Sequence, residues 1–154
     1  MAKFEEPFES TQTLYNQAIL NADLARFVNI TILTNNRAKE IFKVIKANDI
    51  LSHIASTDIV IVINEKILEK LIPEQQLIVV EESLASIHFD TEANKIVISK
   101  PDVVTFSGVL SKHTFATWNV LRESIKTLYQ AEKQAEDERK AATEKAKADK
   151  FVKK

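Results

Sequence analysis

The sequence contains no cysteine, a single glycine (Gly108), three prolines and three histidines in 154 residues. The lack of cysteine removes disulfides, thiolate nucleophiles and cysteine-ligated zinc, and it fits a reducing compartment. With one glycine the chain has no loop in which backbone amides can close around a phosphate, so Walker-type and dinucleotide-binding sites are not expected. Serine is common, yet no G-x-S-x-G nucleophile elbow occurs. No apolar run approaches the ~20 residues that span a bilayer, and MAKFEEPFES lacks the apolar core of a signal peptide. The expectation is a chain made and kept in a cytoplasm, or packaged into a particle, with no membrane partner. A formal net charge of −1 offers no long-range field for nucleic acid.

What is present is ordinary globular chemistry: 45% apolar and 28% charged residues, enough for one domain with a modest core. Residues 1–9 read as a loose arm, 10–130 as the domain, and 131–154 as a charged tail that is helical or partly disordered. Ser10 or Thr11 can cap a helix running to about Phe27, with Leu14, Ala18, Ile19, Leu20, Leu24 and Phe27 on its apolar side. Val28 to Thr34 is rich in β-branched residues and reads as a strand; Asn35-Asn36 reads as a turn. A second helix is expected from about Ala38 to Ala47, with Ile41, Phe42, Val44 and Ile45 turned inward. A short helix capped by Asn48 or Asp49 follows. Ile59 to Ile63 is an unbroken apolar run, the pattern of a sheet interior covered on both faces.

Asn64 can cap one helical turn, and Pro73 and Glu74 suit the first turn of the next helix. Ile87–Asp90 and Lys95–Ser99 pair as a hairpin across Thr91–Asn94. From about Asp102 the chain can be helical almost to its end. Phe106, Leu110, His113, Thr117, Leu121, Ile125 and Leu128 recur at helical spacing, and no apolar stripe continues past residue 130. The predicted fold class is α+β: a small mixed β-sheet packed by helices, with a long C-terminal helix extending past the core.

Residues 57–102 carry the most information. The strand Ile59-Val60-Ile61-Val62-Ile63 runs into Asn64-Glu65-Lys66; Pro73 then opens the helix EQQLIVVEESLAS, followed by the hairpin and Lys100-Pro101-Asp102. This order and hydrophobic pattern, from about Val28 to Leu128, resembles the metallopeptidase domain family carried by many phages, a zincin-like fold. The resemblance implies a helix ending in H-E-L-x-H and a later P-H-D turn bearing a third histidine. Histidines one helical turn apart aim both imidazoles at one zinc ion, and the glutamate between them polarises its bound water. Here the matching positions read Glu82-Ser83-Leu84-Ala85-Ser86 and Lys100-Pro101-Asp102. Glu82 and Ser86 stand at the two histidine positions, Ser83 at the glutamate and Pro101 at the third histidine. Serine is a poor zinc ligand and a poor base near neutral pH, and proline offers no side-chain donor. The resemblance therefore implies an inherited scaffold with its metal ligands lost: no peptidase activity, no metal and no cofactor. The same helix also reads simply as an amphipathic core helix, with Leu77, Ile78, Val80 and Leu84 buried and Glu81 and Glu82 solvated.

His53, His88 and His113 lie far apart in the sequence, so none forms a local ligand pair. His88, near Asp90 on the hairpin, could join Glu82 in a rearranged hydrolytic metal site, the competing enzyme reading; a partly exposed strand histidine is the simpler one. His113 falls on the apolar side of the last helix and reads as a hydrogen-bonded core residue. His53 sits by a helix end, where a cation is favoured. Lys39, Lys43 and Lys46 could form a basic strip for nucleic acid, but they have no aromatic neighbours for base stacking. Phe4 and Phe8 either dock on a partner or staple back on their own domain, and the staple is preferred. Phe115 and Trp118 lie off the main stripe and form either a second buried face or an exposed contact; an exposed tryptophan would be a binding hot spot. The functional expectation is a non-catalytic phage protein that binds a viral or host protein, with Phe4, Phe8, Phe115 and Trp118 as candidate contacts. It would act as a virion component or on a host factor in the host cytoplasm. A nucleic-acid-associated accessory protein is the third reading.

Overall fold

Five consecutive β-branched residues form the central strand β3 (Ile59–Ile63) in the structure, a computed structural model that describes residues 3–100 and 105–152. Ile59, Ile61 and Ile63 point into the core and are wholly buried. A buried strand must pair both edges, because an unpaired N–H or C=O away from water costs free energy. β1 (Ile30–Thr34) pairs with one edge in parallel and β2 (Phe42–Lys46) with the other in antiparallel, giving the order β1-β3-β2. The second pairing overturns the helix expected over Ala38–Ala47. The apolar residues of that segment fit either period, but only a strand satisfies the open edge of β3, with Phe42, Val44 and Lys46 opposite Ile63, Ile61 and Ile59. α2 (Asp49–Ala55) then returns the chain to β3; it is capped by Asn48, whose Oδ1 accepts from the Leu51 amide at 2.8 Å.

Helices cover the isoleucine face of this sheet. α1 (Glu9–Asn21), α3 (Glu65–Leu68) and α4 (Pro73–Ala85) bring in Tyr15, Ala18, Ile67, Leu68, Ile78, Val79, Val80 and Leu84. Each fully buried aliphatic side chain contributes about 1.5–3 kcal/mol. α1 is shorter than expected. Its chain turns at Asp23, which adopts the left-handed region (φ 55°) that aspartate tolerates better than most residues. The reversal brings Val28 into the core and stacks Phe27 on Phe89 with ring centroids 5.1 Å apart. The N-terminal segment, read as a loose arm, is tied at two points. Glu5 and Thr34 exchange both backbone hydrogen bonds, at 3.0 and 2.8 Å, and the Phe8 amide donates to the buried Glu65 carboxylate at 2.8 Å.

Asn64 caps α3, Pro73 begins α4, and β4 (Ile87–Asp90) pairs with β5 (Lys95–Ile98), all where the sequence places them. The C-terminal segment is not one helix. α5 (Ser107–Lys112) stops at His113, whose backbone is extended, and Thr114 starts α6 (Phe115–Val152) by accepting the Thr117 amide at 3.3 Å. α6 buries Trp118, Leu121 and Ile125. Farther along, Asn64 Nδ2 donates to the Tyr129 hydroxyl at 3.3 Å, and Glu132 pairs with Lys66 and Lys70. Hydrogen bonds from Lys66 and Lys70 hold the Glu132 carboxyl down to about 2. Past Ala135 every residue through Val152 is exposed, a helical projection of about 26 Å at 1.5 Å per residue. The fold is α+β as expected, with a small mixed sheet, a separate hairpin and a long C-terminal helix. Among the described residues no helix is long and apolar enough to cross a membrane.

Candidate functional site

α4 turns Ile78, Val79, Val80 and Leu84 into the core, and this orientation carries positions 82, 83 and 86 inward with them. Glu82, Ser83 and Ser86 are buried, at 5%, 0% and 6% exposure. Buried polar atoms need hydrogen-bond partners, and these three find them in different places.

Glu82 faces α6. Trp118 Nε1 donates to its Oε2 at 3.0 Å and the Arg122 guanidinium to its Oε1 at 3.2 Å. Trp118 and Arg122 are four residues apart, so they share one side of α6, and the guanidinium lies 5.4 Å from the indole ring centre. Arg122 keeps part of its side chain in solvent, which eases the cost of holding the buried carboxylate. Glu82 is therefore not the solvated residue that a plain core helix would carry.

Ser83 Oγ donates to the Val80 carbonyl at 2.7 Å. That uses its only hydroxyl proton, so the Tyr15 hydroxyl, 3.1 Å away, donates to Ser83. Ser86 Oγ turns back on its own helix to the Ser83 carbonyl at 2.9 Å. The Ser86 carbonyl accepts from the Ser99 amide at 2.7 Å, tying the end of the hairpin to the end of α4.

A hydrolytic zinc ion needs donors one turn apart aimed at one point, with a base between them. The residues present do not fit that ion. Glu82 addresses α6, Ser86 addresses its own backbone, and Ser83 bridges its own helix to α1. Pro101, at the position of the third ligand, lies outside the described residues. Among the described residues no group of three or more His, Cys, Asp or Glu could hold a metal ion.

The rearranged cluster is not brought together either. His88 is exposed on β4, Asp90 Oδ1 accepts the Glu92 and Ala93 amides to shape the hairpin turn, and Glu82 is engaged by α6. His113 lies at the junction of α5 and α6, with its Nε2 on Glu81 and Lys112 on the same carboxylate. His53 is exposed in the last turn of α2. Phe4 and Phe8 are 44% and 57% exposed although the backbone around them is tied down. Phe115 is exposed with its ring 5.7 Å from that of Trp118, while Trp118 itself is buried. Of the four candidate contacts, three present surface and Trp118 belongs to the core.

Sequence reasoning missed Tyr15, Arg122 and the Glu81–His113 contact. The spacing of Thr11, Tyr15 and Ala18, and of Trp118 and Arg122, puts each set on one helical face. Nothing local says that those faces meet positions 83 and 82 of α4.

Two tyrosines occur in the chain, and both are held neutral. Full burial pushes the Tyr15 phenol well above its ordinary value, and partial burial pushes Tyr129 up to about 12 against an opposing hydrogen bond from Asn64. A phenol raised in the folded state stabilises the fold fully below its unfolded value of 10.0 and loses that contribution as pH rises through the folded value. Tyrosinate absorbance should therefore show no normal tyrosine at pH 10 and rise together with loss of helical circular dichroism near pH 12. A tyrosine titrating at 10 with the fold intact would contradict the burial of that ring.

A family model described as "Putative phage metallopeptidase" matches residues 13–133, a span from α1 through the docked part of α6. No curated protein and no solved structure matches the chain.

Proposed function

The chain belongs to the phage metallopeptidase family, and we propose that it keeps that family's scaffold without its chemistry and acts by binding another protein. The partner is a phage or host protein, met in the virion or in the host cytoplasm. The observation that supports this most strongly is the commitment of Glu82, Ser83 and Ser86 to partners within the fold. Polar side chains stand where ligands would stand: Glu82 ties α4 to α6, Ser83 ties it to α1, and Ser86 turns back on its own helix. A hydrolytic site at Glu82, His88 and Asp90 has no comparable support, because two of the three carry structural hydrogen bonds.

The projecting part of α6 supports a contact role. Its residues past Ala135 are exposed on all sides, and Glu136 pairs with Lys140 at 2.8 Å along its surface. A helix polar all round gains little from packing on its own domain and suits a bridge to a neighbour. A chain ending at Gln134 keeps Tyr129 and Glu132, so its stability should stay within about 0.5 kcal/mol of the full chain. Purified phage particles and host extract, each probed with both forms, should yield a partner for the full chain that the shortened chain fails to retain. Equal retention by both forms would remove the tail as the docking element.

A further inference from the structure

Charge is ordered along the exposed part of α6. Glu136, Asp137 and Glu138 are consecutive, and Lys145, Lys147 and Lys150 follow about two to three turns later. The helix macrodipole does not account for the acidic block. Its influence is confined to the first and last turns of a helix, and α6 begins at Phe115, about six turns earlier. Glu136 pairs with Lys140, and Glu138 accepts a hydrogen bond from Gln134 at 3.3 Å. Among the described residues Asp137, Glu138, Lys145, Lys147 and Lys150 enter no ion pair.

The same segment has one face built for close approach. Ala131, Ala135, Glu138, Ala142, Lys145 and Asp149 recur at alternating spacings of four and three, the seam positions of a two-helix coil. Ala141 and Ala148 lie beside that seam. Side chains this small let two helix axes come to the near end of the usual separation of about 8–10 Å. The seam charges then decide the direction of pairing. Parallel, in-register pairing sets Glu138 against Glu138 and Lys145 against Lys145. Antiparallel pairing about position 140 sets Glu138 level with Ala142 of the second copy and Ala135 level with its Lys145. Each Glu138 then stands one layer from a Lys145 of the opposite copy.

We propose that the exposed part of α6 pairs antiparallel with the same segment of a second copy of the chain, guided by Glu138 and Lys145 of opposite copies. Complementary charge selects this register and disfavours the parallel one, where like charges meet. This rests on the contact role given to α6 above and names the neighbour it meets. Other occupants fit less well. From Glu136 to Lys150 acids and bases are equal in number, so the segment has no net charge to draw it to nucleic acid. Between Ala131 and Asp149 the seam carries no large apolar side chain to fill the hydrophobic groove of an unrelated protein.

The test uses the full-length protein at low salt. It should sediment as one chain when dilute and shift toward two as its concentration rises, and added salt should reverse the shift. Glu138→Lys and Lys145→Glu each alter one exposed side chain and put like charges on the seam. Each variant alone should keep its helical circular dichroism and lose about tenfold or more in self-association, and an equal mixture of the two should recover it. Direction is read separately. Because the chain has no cysteine, a Lys150→Cys variant carries a single spin label. Antiparallel pairing about position 140 sets two such labels about 30 Å apart along the helices, and parallel pairing sets them side by side. The proposal is overturned by a chain that stays single at every concentration, or by pairing that either charge variant leaves unchanged. It is also overturned by a mixture that fails to associate, by labels side by side, or by pairing only when an oligonucleotide is added. If it falls while the chain ending at Gln134 still loses a partner from particles or extract, α6 keeps its contact role with a different neighbour, so the two readings fail separately.

Discussion

Trp118→Ala is expected to cost about 3–5 kcal/mol of folding stability, the range for deleting a buried aromatic ring. The indole is 7% exposed, packs at the start of α6, and donates through Nε1 to Glu82. Truncation opens a cavity and also leaves the carboxylate, buried at 5% exposure, with Arg122 alone. Losing a hydrogen bond to a buried charged group adds to the cavity cost. Urea unfolding should show a lower midpoint with an unchanged slope, the mark of lost stability and not of altered compactness. Phe115→Ala, at an exposed position on the same turn, should stay within about 1 kcal/mol of the parent. If the two variants were equally mild, Trp118 would not be part of the core and the link between α4 and α6 would fail.

Ser83→Glu, which returns the motif glutamate to its position, is expected to prevent stable folding. Ser83 has no solvent exposure, and its side-chain hydrogen bonds go to the Val80 carbonyl and the Tyr15 hydroxyl, neither of them a cation. An unpaired carboxylate there loses its hydration, at a cost of several kcal/mol, and must also displace packed atoms. Such a total is comparable to the whole stability of a domain of this size. Ser83→Ala is the milder probe. It leaves the Tyr15 hydroxyl buried without an acceptor, which costs about 1–3 kcal/mol. Adding Tyr15→Phe removes that stranded donor, so the double variant should recover part of the loss, a non-additivity that the Tyr15–Ser83 hydrogen bond requires. Strict additivity of the two single changes would mean the two hydroxyls do not interact.

The family resemblance and much of the scaffold were legible because they rest on local chemistry. Five β-branched residues in a row make β3, Asn64 and Pro73 sit where helix starts favour them, and the polar Thr91–Asn94 stretch closes the hairpin. The helix expected over Ala38–Ala47 was misread because Ile41, Phe42, Val44 and Ile45 satisfy helical and strand periods alike. The choice between them was made by the unpaired edge of β3, a tertiary demand. Phe27 and Asp23 mark another such case: the apolar pattern ran on past Asn21, but the chain had to turn back for Val28 to reach the core.

At the candidate site only the identities of Glu82, Ser83 and Ser86 were legible in advance. What those residues do depends on α1 and α6, separated from α4 by 68 positions at Tyr15 and by 36 and 40 positions at Trp118 and Arg122. A buried glutamate and a solvated one look alike in a helical pattern until the neighbouring helix is placed.

The most direct test of the central claim is metal content and turnover of the purified full-length protein after zinc loading and dialysis. If the motif positions of α4 serve only the fold, the chain retains no stoichiometric zinc and hydrolyses no unstructured peptide substrate, with or without added metal. Zinc held at one ion per chain and lost in His88→Ala, or peptide hydrolysis abolished by a chelator and restored by zinc, would contradict it.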